Sequence, residues 1–459
     1  MKFLNEDDIL ANGQGVYLKL RRDALSILGS ALDSVDPKKA VFDQVKRGGN
    51  MLHAGGVVYN LDKFRQVFLV GGGKAGGSMA EAVESLLGDR LTGGVVNILK
   101  GTKEKYRTSR VELIEASHPV PDGSGVGGVK AMLNIVSGLT PDDLVIVVIS
   151  GGGSALMPCP ADGVTLDDLQ VVTKALLRRG ATINDLNAVR KHLDTFKGGQ
   201  LVKRCQPAEV LSLILSDVVG DPLDAIASGP TAPDPTTWAD AEETLKKYDV
   251  WETAPESIKA RIGRGLAGEI PDTPKESDAA FSRVKNIVVA NNSHAAEAAS
   301  MKARDLGYNS IILSTMVEGE ARHVGGVYAG IAREISERGR PIKSPAAIII
   351  GGETTVDVKG PGRGGRNQEV ALGAARRISA TPSLIASVAT DGVDGPTDAA
   401  GALVDGATLE KSIVLGLSID EKLAENDAYH FFEGLGDLIK TGPTGTNVND
   451  LALILVAGG

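Results

Sequence analysis

A chain of 459 residues is longer than one hydrophobic core ordinarily spans, so two domains are the expectation. Hydrophobic residues at 42% and charged residues at 23% exclude wholesale disorder, and a formal net charge of −9 argues against a nucleic-acid partner, which needs a basic field. The only cysteines, Cys159 and Cys205, lack metal-ligand spacing, so both are expected as buried small hydrophobes in a reducing compartment.

The first ten residues carry Glu6, Asp7 and Asp8 and no apolar run, so no secretory leader is expected and the protein is placed in the cytoplasm. No stretch reaches the ~20 apolar residues of a membrane span, so no membrane partner is expected. Residues 1–59 read as largely helical, with a helix over 17–32.

Short apolar runs then recur, each closing on small or polar residues. Residues 67–70 precede Gly71-Gly72-Gly73-Lys74, and 144–149 precede Ser150-Gly151-Gly152-Gly153-Ser154. Residues 210–215 precede Ser216-Asp217, and 287–290 precede Asn291-Asn292-Ser293. Residues 346–350 precede Gly351-Gly352-Glu353-Thr354, and 385–389 precede Thr390-Asp391-Gly392. Runs of four to six residues rich in Val and Ile, without alternation, read as strands buried on both faces, and such strands belong to parallel sheets. Helical stretches over 78–87, 167–179, 294–306 and 325–338 complete an α/β pattern. In an open parallel sheet ligands bind beyond the carboxyl ends of the strands, which is where each of these loops falls. Residues 254–282, with Pro255, Pro271 and Pro274 and no strong apolar run, read as the connection between a larger N-terminal domain (1–275) and a smaller C-terminal one (280–459).

Residues 71–76 match G-x-G-x-x-G between a strand and a helix, the arrangement of a dinucleotide-binding turn. That fingerprint requires an acid ~20 residues on to hold a ribose, whereas the next strand, 95–99, ends in Lys100-Gly101. What remains is the Lys74 ammonium at the mouth of a helix, placed for an anion. In residues 150–155 three consecutive glycines let backbone N–H groups converge on one oxyanion, with Ser150 and Ser154 flanking them. The spacing fails the G-x-S-x-G elbow, so Ser154 is not read as a nucleophile.

Residues 360–369 set Arg363 and Arg366 among glycines, and guanidinium forks suit bidentate recognition of phosphate or carboxylate. In residues 390–395, Asp391 and Asp394 stand three apart on a glycine-permitted turn; hard oxygen ligands of this kind suit Mg²⁺ or general-base work, while a plain Asx-turn explains the pattern equally well. Asp217, Glu353 and Asn291 stand at other strand ends and complete the candidate polar set, and His118 is a weaker candidate.

On these residues the chain resembles the class II glycerate kinases, which join a DUF4147 domain to a MOFRL domain. The resemblance runs in order over nearly the whole chain: Gly73-Lys74-Ala75, residues 117–122, 150–155, Lys197-Gly198-Gly199, Ser216-Asp217-Val218, Gly352-Glu353-Thr354, residues 364–369, 390–395 and 444–450. It implies a Rossmann-like parallel-sheet N-terminal domain, a smaller α/β C-terminal domain and a site in the cleft between them. It further implies transfer of the γ-phosphoryl group of ATP to the 2-hydroxyl of D-glycerate with Mg²⁺. The family's catalytic lysine and arginine fall on Lys74 and Arg366. Gly73, Ser150, Gly151, Gly152, Gly153, Ser154, Asn291, Glu353 and Arg363 are the expected binding residues, and Asp217, Asp391 and Asp394 the expected metal ligands. A homodimer is among the expected assemblies. The competing functions are an NAD(P)-dependent hydroxypyruvate reductase, with Lys100 meeting a 2′-phosphate, and a non-catalytic sugar-acid binding protein.

Overall fold

The chain passes between two units twice: residues up to Asp36 join those from Ala290 onward, and Pro37–Val289 forms the other unit. The structure, a computed structural model, describes residues 3–458.

In the Pro37–Val289 unit, β1 (Val45–Gly48), β2 (Met51–Ala54) and β3 (Val57–Asn60) form an antiparallel meander. The main sheet has six strands: β4 (Gln66–Gly72), β5 (Gly93–Leu99), β6 (Val111–Ala116), β7 (Asp143–Ile149), β8 (Glu209–Leu215) and β9 (Val284–Ala290). Their order is β6-β5-β4-β7-β8-β9, and the pairings β5–β6, β4–β5, β4–β7 and β7–β8 are parallel. Every residue of β7 is buried, as an apolar strand covered on both faces must be. The order reverses direction between β4 and β7, and in open α/β sheets the carboxyl ends of the strands at such a point are where ligands bind. The loops after these two strands are the ones that carry Lys74 and Ser150–Ser154.

The other unit has a six-stranded sheet in the order β10-β11-β15-β12-β13-β14, made of β10 (Asn309–Glu320), β11 (Ala346–Thr355), β12 (Ser383–Ala389), β13 (Gly401–Asp405), β14 (Leu438–Ile439) and β15 (Asp450–Val456). Only the β10–β11 pairing is parallel; β11–β15, β12–β15, β12–β13 and β13–β14 are antiparallel. The expectation of parallel strands therefore holds for one unit and fails for most of the other. Double-faced burial makes 346–350 and 385–389 apolar whatever the direction of their neighbours, and both flank β15 antiparallel.

Three further expectations change. Residues 45–60 are strands, not helix. The segment read as an interdomain connection contains the helix Glu256–Leu266, which buries Ile258 and Ile262 in a cluster with Trp238 and Leu245; it is packed core of the Pro37–Val289 unit. The N-terminal helix Val16–Ser34 belongs with the C-terminal residues, although the first domain was expected to run from residue 1 to 275. The fully buried Arg21 holds it there, meeting Asp405 Oδ2 through Nε at 2.8 Å and Asp437 through Nη1 and Nη2 at 2.5 and 3.0 Å. A buried guanidinium is tolerated only with such partners, and breaking one typically costs about 3–5 kcal/mol.

Candidate active site

In the Pro37–Val289 unit the Lys74 and Ser150 loops are tied to each other. The Lys74 N–H donates to Gly151 O at 2.9 Å, Ser150 N–H donates to Gly72 O at 3.2 Å, and Ser150 Oγ accepts from the Ala75 N–H at 3.0 Å. Gly73 has a φ of +139°, and a Cβ there would collide with Ser150 Oγ, so the glycine is demanded by the neighbouring loop. Gly152 is left-handed at φ +78°, and a Cβ on it would stand 3.1 Å from both Lys74 Cγ and His118 Cδ2. Lys74 and His118 thus flank this glycine.

The Lys74 ammonium has no ion-pair partner among the described residues. Burial, followed by repulsion from Lys74, holds the His118 imidazole down at about 4, so it is neutral at physiological pH. A cavity of about 310 Å³ at these strand ends is lined by His118, Gly152, Ser154, Arg190 and Asp217, among others. A carboxylate oxygen of Asp217 packs where a Gly151 Cβ would go. Ser154 Oγ shares a hydrogen bond with Ser228 Oγ at 2.8 Å, and Ser228 Oγ donates to Asn187 Oδ1 at 2.9 Å. Ala227 and Ser228 behind the loop are both left-handed, at φ +51° and +59°, a strain typical of functional sites.

The other unit presents a different chemistry. Arg366 opens the helix Arg366–Ala375; its Nε and Nη2 grip both oxygens of Asp450 at 2.6 and 3.0 Å, and its Nη1 meets Glu353 Oε1 at 2.7 Å. Asn367 Nδ2 adds a bond to Asp450 Oδ1 at 2.9 Å, and Asn449 Nδ2 one to Glu353 Oε2 at 3.1 Å. Burial pushes the Asp450 carboxyl up to about 7, against the downward pull of Arg366 and Asn367. Facing two carboxylates, Arg366 is held well above the usual guanidinium range. Glu353, Arg366, Asp391, Asp394 and Asn447 line a cavity of about 650 Å³.

Asp394 is 1% exposed and accepts from the N–H groups of Asn367 and Gln368 at 3.0 and 2.9 Å, capping the helix that Arg366 begins. That is an anchoring role for a residue expected as a metal ligand. Asp391 makes the Asx-type turn, accepting from the Val393 N–H at 3.0 Å. Arg363 donates from Nε to Pro396 O at 2.9 Å and its guanidinium stacks over the Tyr429 ring, 4.4 Å from its centroid. Asn291 Oδ1 caps the helix Asn292–Asp305 by accepting from the His294 N–H at 3.0 Å.

Residues 23–263 match the family described as a domain of unknown function (DUF4147), and residues 346–450 match the MOFRL family. The glycerate 2-kinase of Pyrococcus horikoshii is 42% identical over 442 residues, covering 96% of this chain and 98% of that protein. The D-glycerate 2-kinase of Thermotoga maritima is 41% identical over 438 residues, covering 95% of this chain and 98% of that one. The chain belongs to the glycerate 2-kinase family. A crystal structure of a glycerate kinase from Thermotoga maritima superposes with a TM-score of 0.85 at 39% identity, covering 96% of this chain and all of that one.

In this member of the glycerate 2-kinase family the structure groups the expected residues into two sets. Lys74, Gly73, Ser150–Ser154, His118 and Asp217 gather in one unit, and Glu353, Arg366, Asp391 and Asp394 in the other. Sequence reasoning passed over Asp450 and Arg190. Asp450 closes the 444–450 motif, and a carboxylate there was a readable partner for an arginine. Arg190 sits within a helix without glycine or strand-end context, so no local signal marks it.

Proposed function

We propose that this protein transfers the γ-phosphoryl group of ATP to the 2-hydroxyl of D-glycerate, giving 2-phospho-D-glycerate and ADP. The unpaired Lys74 ammonium beside the triple-glycine loop, at the point where the strand order reverses, carries the reading, and the similarity to glycerate 2-kinases supports it. The 2-hydroxyl oxygen attacks the γ-phosphorus, the bond from that phosphorus to the β–γ bridging oxygen breaks, and the hydroxyl proton passes to a carboxylate, for which Asp217 is positioned on the cavity wall. Lys74 offsets charge on the transferring group. Gly153 N–H closes on Ser150 O at 3.2 Å, which leaves the Gly151 and Gly152 amides to an anionic group. Arg366 uses three of its roughly five donors on Asp450 and Glu353 and retains two for a phosphate.

No cluster of three or more His, Cys, Asp or Glu side chains suited to a metal occurs among the described residues. Mg²⁺ in phosphoryl transfer is commonly held by one or two carboxylates plus the substrate phosphates, and Asp391 and Glu353, lining one cavity, fit that arrangement. Bound there, it would neutralise phosphate charge. The reductase reading is weaker: β5 ends at Leu99 before Lys100, and the nearby Glu115 carboxylate accepts from the N–H groups of Gly101, Thr102 and Lys103 at 2.8, 3.0 and 3.0 Å. A ribose would find it already engaged. Incubation with ATP, Mg²⁺ and D-glycerate, followed by ³¹P NMR, is expected to show 2-phosphoglycerate; 3-phosphoglycerate, or no phosphorylated product, would overturn the proposal.

A further inference from the structure

The helix Ile183–His192 carries Arg190, Lys191 and His192 in succession, and the last two meet carboxylates. Lys191 Nζ meets Asp224 and Asp234 at 3.2 Å each, and His192 Nε2 meets Asp272 Oδ1 at 2.8 Å. Arg190 has no carboxylate or hydrogen-bond partner among the described residues, and burial alone pushes its guanidinium down to about 10. Taking a cation out of water without a counter-charge is unfavourable, so an unpaired one facing a cavity points to a ligand that supplies the charge. Arg190 faces the cavity of about 310 Å³ together with Ser154, His118 and Asp217. Its helix is fixed to that wall: Asn187, one turn earlier, accepts from Ser228 Oγ, which is bonded to Ser154 Oγ.

We propose that Arg190 receives the carboxylate of the hydroxy-acid acceptor in this cavity, an assignment that rests on the kinase reading above. The planar guanidinium matches a carboxylate with two parallel N–H···O bonds. At about 310 Å³ the cavity lies at the small end of ligand sites and suits a three-carbon acid better than a nucleoside triphosphate. The Asp217 carboxylate on the same wall disfavours a polyanion while offering an acceptor to a hydroxyl. The Arg190 and Lys174 cations and the Asp217 carboxylate lining a small cavity complement a molecule that carries a carboxylate beside a hydroxyl.

The test is steady-state kinetics of R190Q and R190K with ATP and D-glycerate varied separately. In R190Q the KM for D-glycerate is expected to rise about 100-fold, with the KM for ATP within about twofold of wild type, because a site built to pair with one charged group loses that substrate selectively. R190K should recover part of the loss. R190Q should also lose the wild-type preference for D-glycerate over its neutral amide, and its Tm should match or exceed that of wild type, since an unpaired charge has been removed. An unchanged KM for D-glycerate, or a rise confined to ATP, overturns the assignment and in the second case gives Arg190 to the nucleotide. Isothermal titration of D-glycerate into each protein without ATP separates the two proposals. Binding by wild type that is lost in R190Q upholds the role of Arg190 even if no phosphorylated product forms, whereas equal binding by both defeats it even if the kinase reaction proceeds.

Discussion

The two units place cations at strand ends in opposite electrostatic settings. In the Pro37–Val289 unit Lys74 and Arg190 have no carboxylate partner among the described residues, Lys74 beside a glycine loop and Arg190 on a small cavity. In the other unit Arg366 is gripped by Asp450 and Glu353, and its loop is pinned from behind by Asp394. A bare cation offers its full charge to an incoming anion. A paired one offers a fixed geometry and a few remaining donors. The contrast teaches that similar glycine-rich motifs need not do similar work.

The largest expected effect falls on the bare cation. Lys74→Ala should lower kcat about 10³-fold, the scale of removing one preorganised charge-stabilising donor, with Tm unchanged. Turnover near wild type would remove Lys74 from the chemistry and erase the contrast between the units. Next comes Asp450→Ala, which strands Arg366 and Asn367 in a partly buried site. Urea unfolding should show a loss of about 3 kcal/mol along with impaired turnover. If activity falls with no change in stability, Asp450 acts on substrate directly and the paired setting has been misread.

His118 sharpens the comparison through pH. Its folded value of about 4 lies below the ordinary 6.5, so the unfolded chain binds the extra proton between those limits. Stability is therefore full above pH 6.5 and declines as pH falls towards 4. His118→Gln should flatten that part of the stability curve, and in Lys74→Ala the His118 titration followed by NMR should move upward, because one of its two depressing causes is gone. The smallest effect belongs to Arg363→Ala: with the guanidinium stacked on Tyr429, kcat/KM should change by no more than about threefold, the scale of an exposed cation–π contact. A larger loss would return Arg363 to the binding set.

Much of this was legible before any coordinates. The apolar runs after residue 60 all became strands, most within a residue or two, while β9 begins three residues earlier and β11 runs five residues further; the helices at 78–87 and 294–306 were anticipated nearly in full. Runs of Val and Ile closing on glycine report burial and a chain reversal, both local properties. Cys159 and Cys205 are buried and free, as their isolation in the sequence suggested. The meander at 45–60 escaped notice because its four-residue strands are short and half exposed, and the first carries Lys46 and Arg47.

Local sequence determined the α/β elements, the loops at their carboxyl ends and the residue types available there, since periodicity and glycine placement act over a few residues. Tertiary structure alone decided which of those residues are engaged. Arg21 finds Asp437 across 416 positions, Arg366 finds Asp450 across 84, and Asp394 folds back onto a helix 27 residues earlier. Whether a charge is bare or paired depends on what the fold brings within about 3 Å, and no window of sequence contains that neighbour. The same reason explains Arg190: its sequence resembles that of Lys191 beside it, and only the fold gives one two carboxylates and the other a cavity.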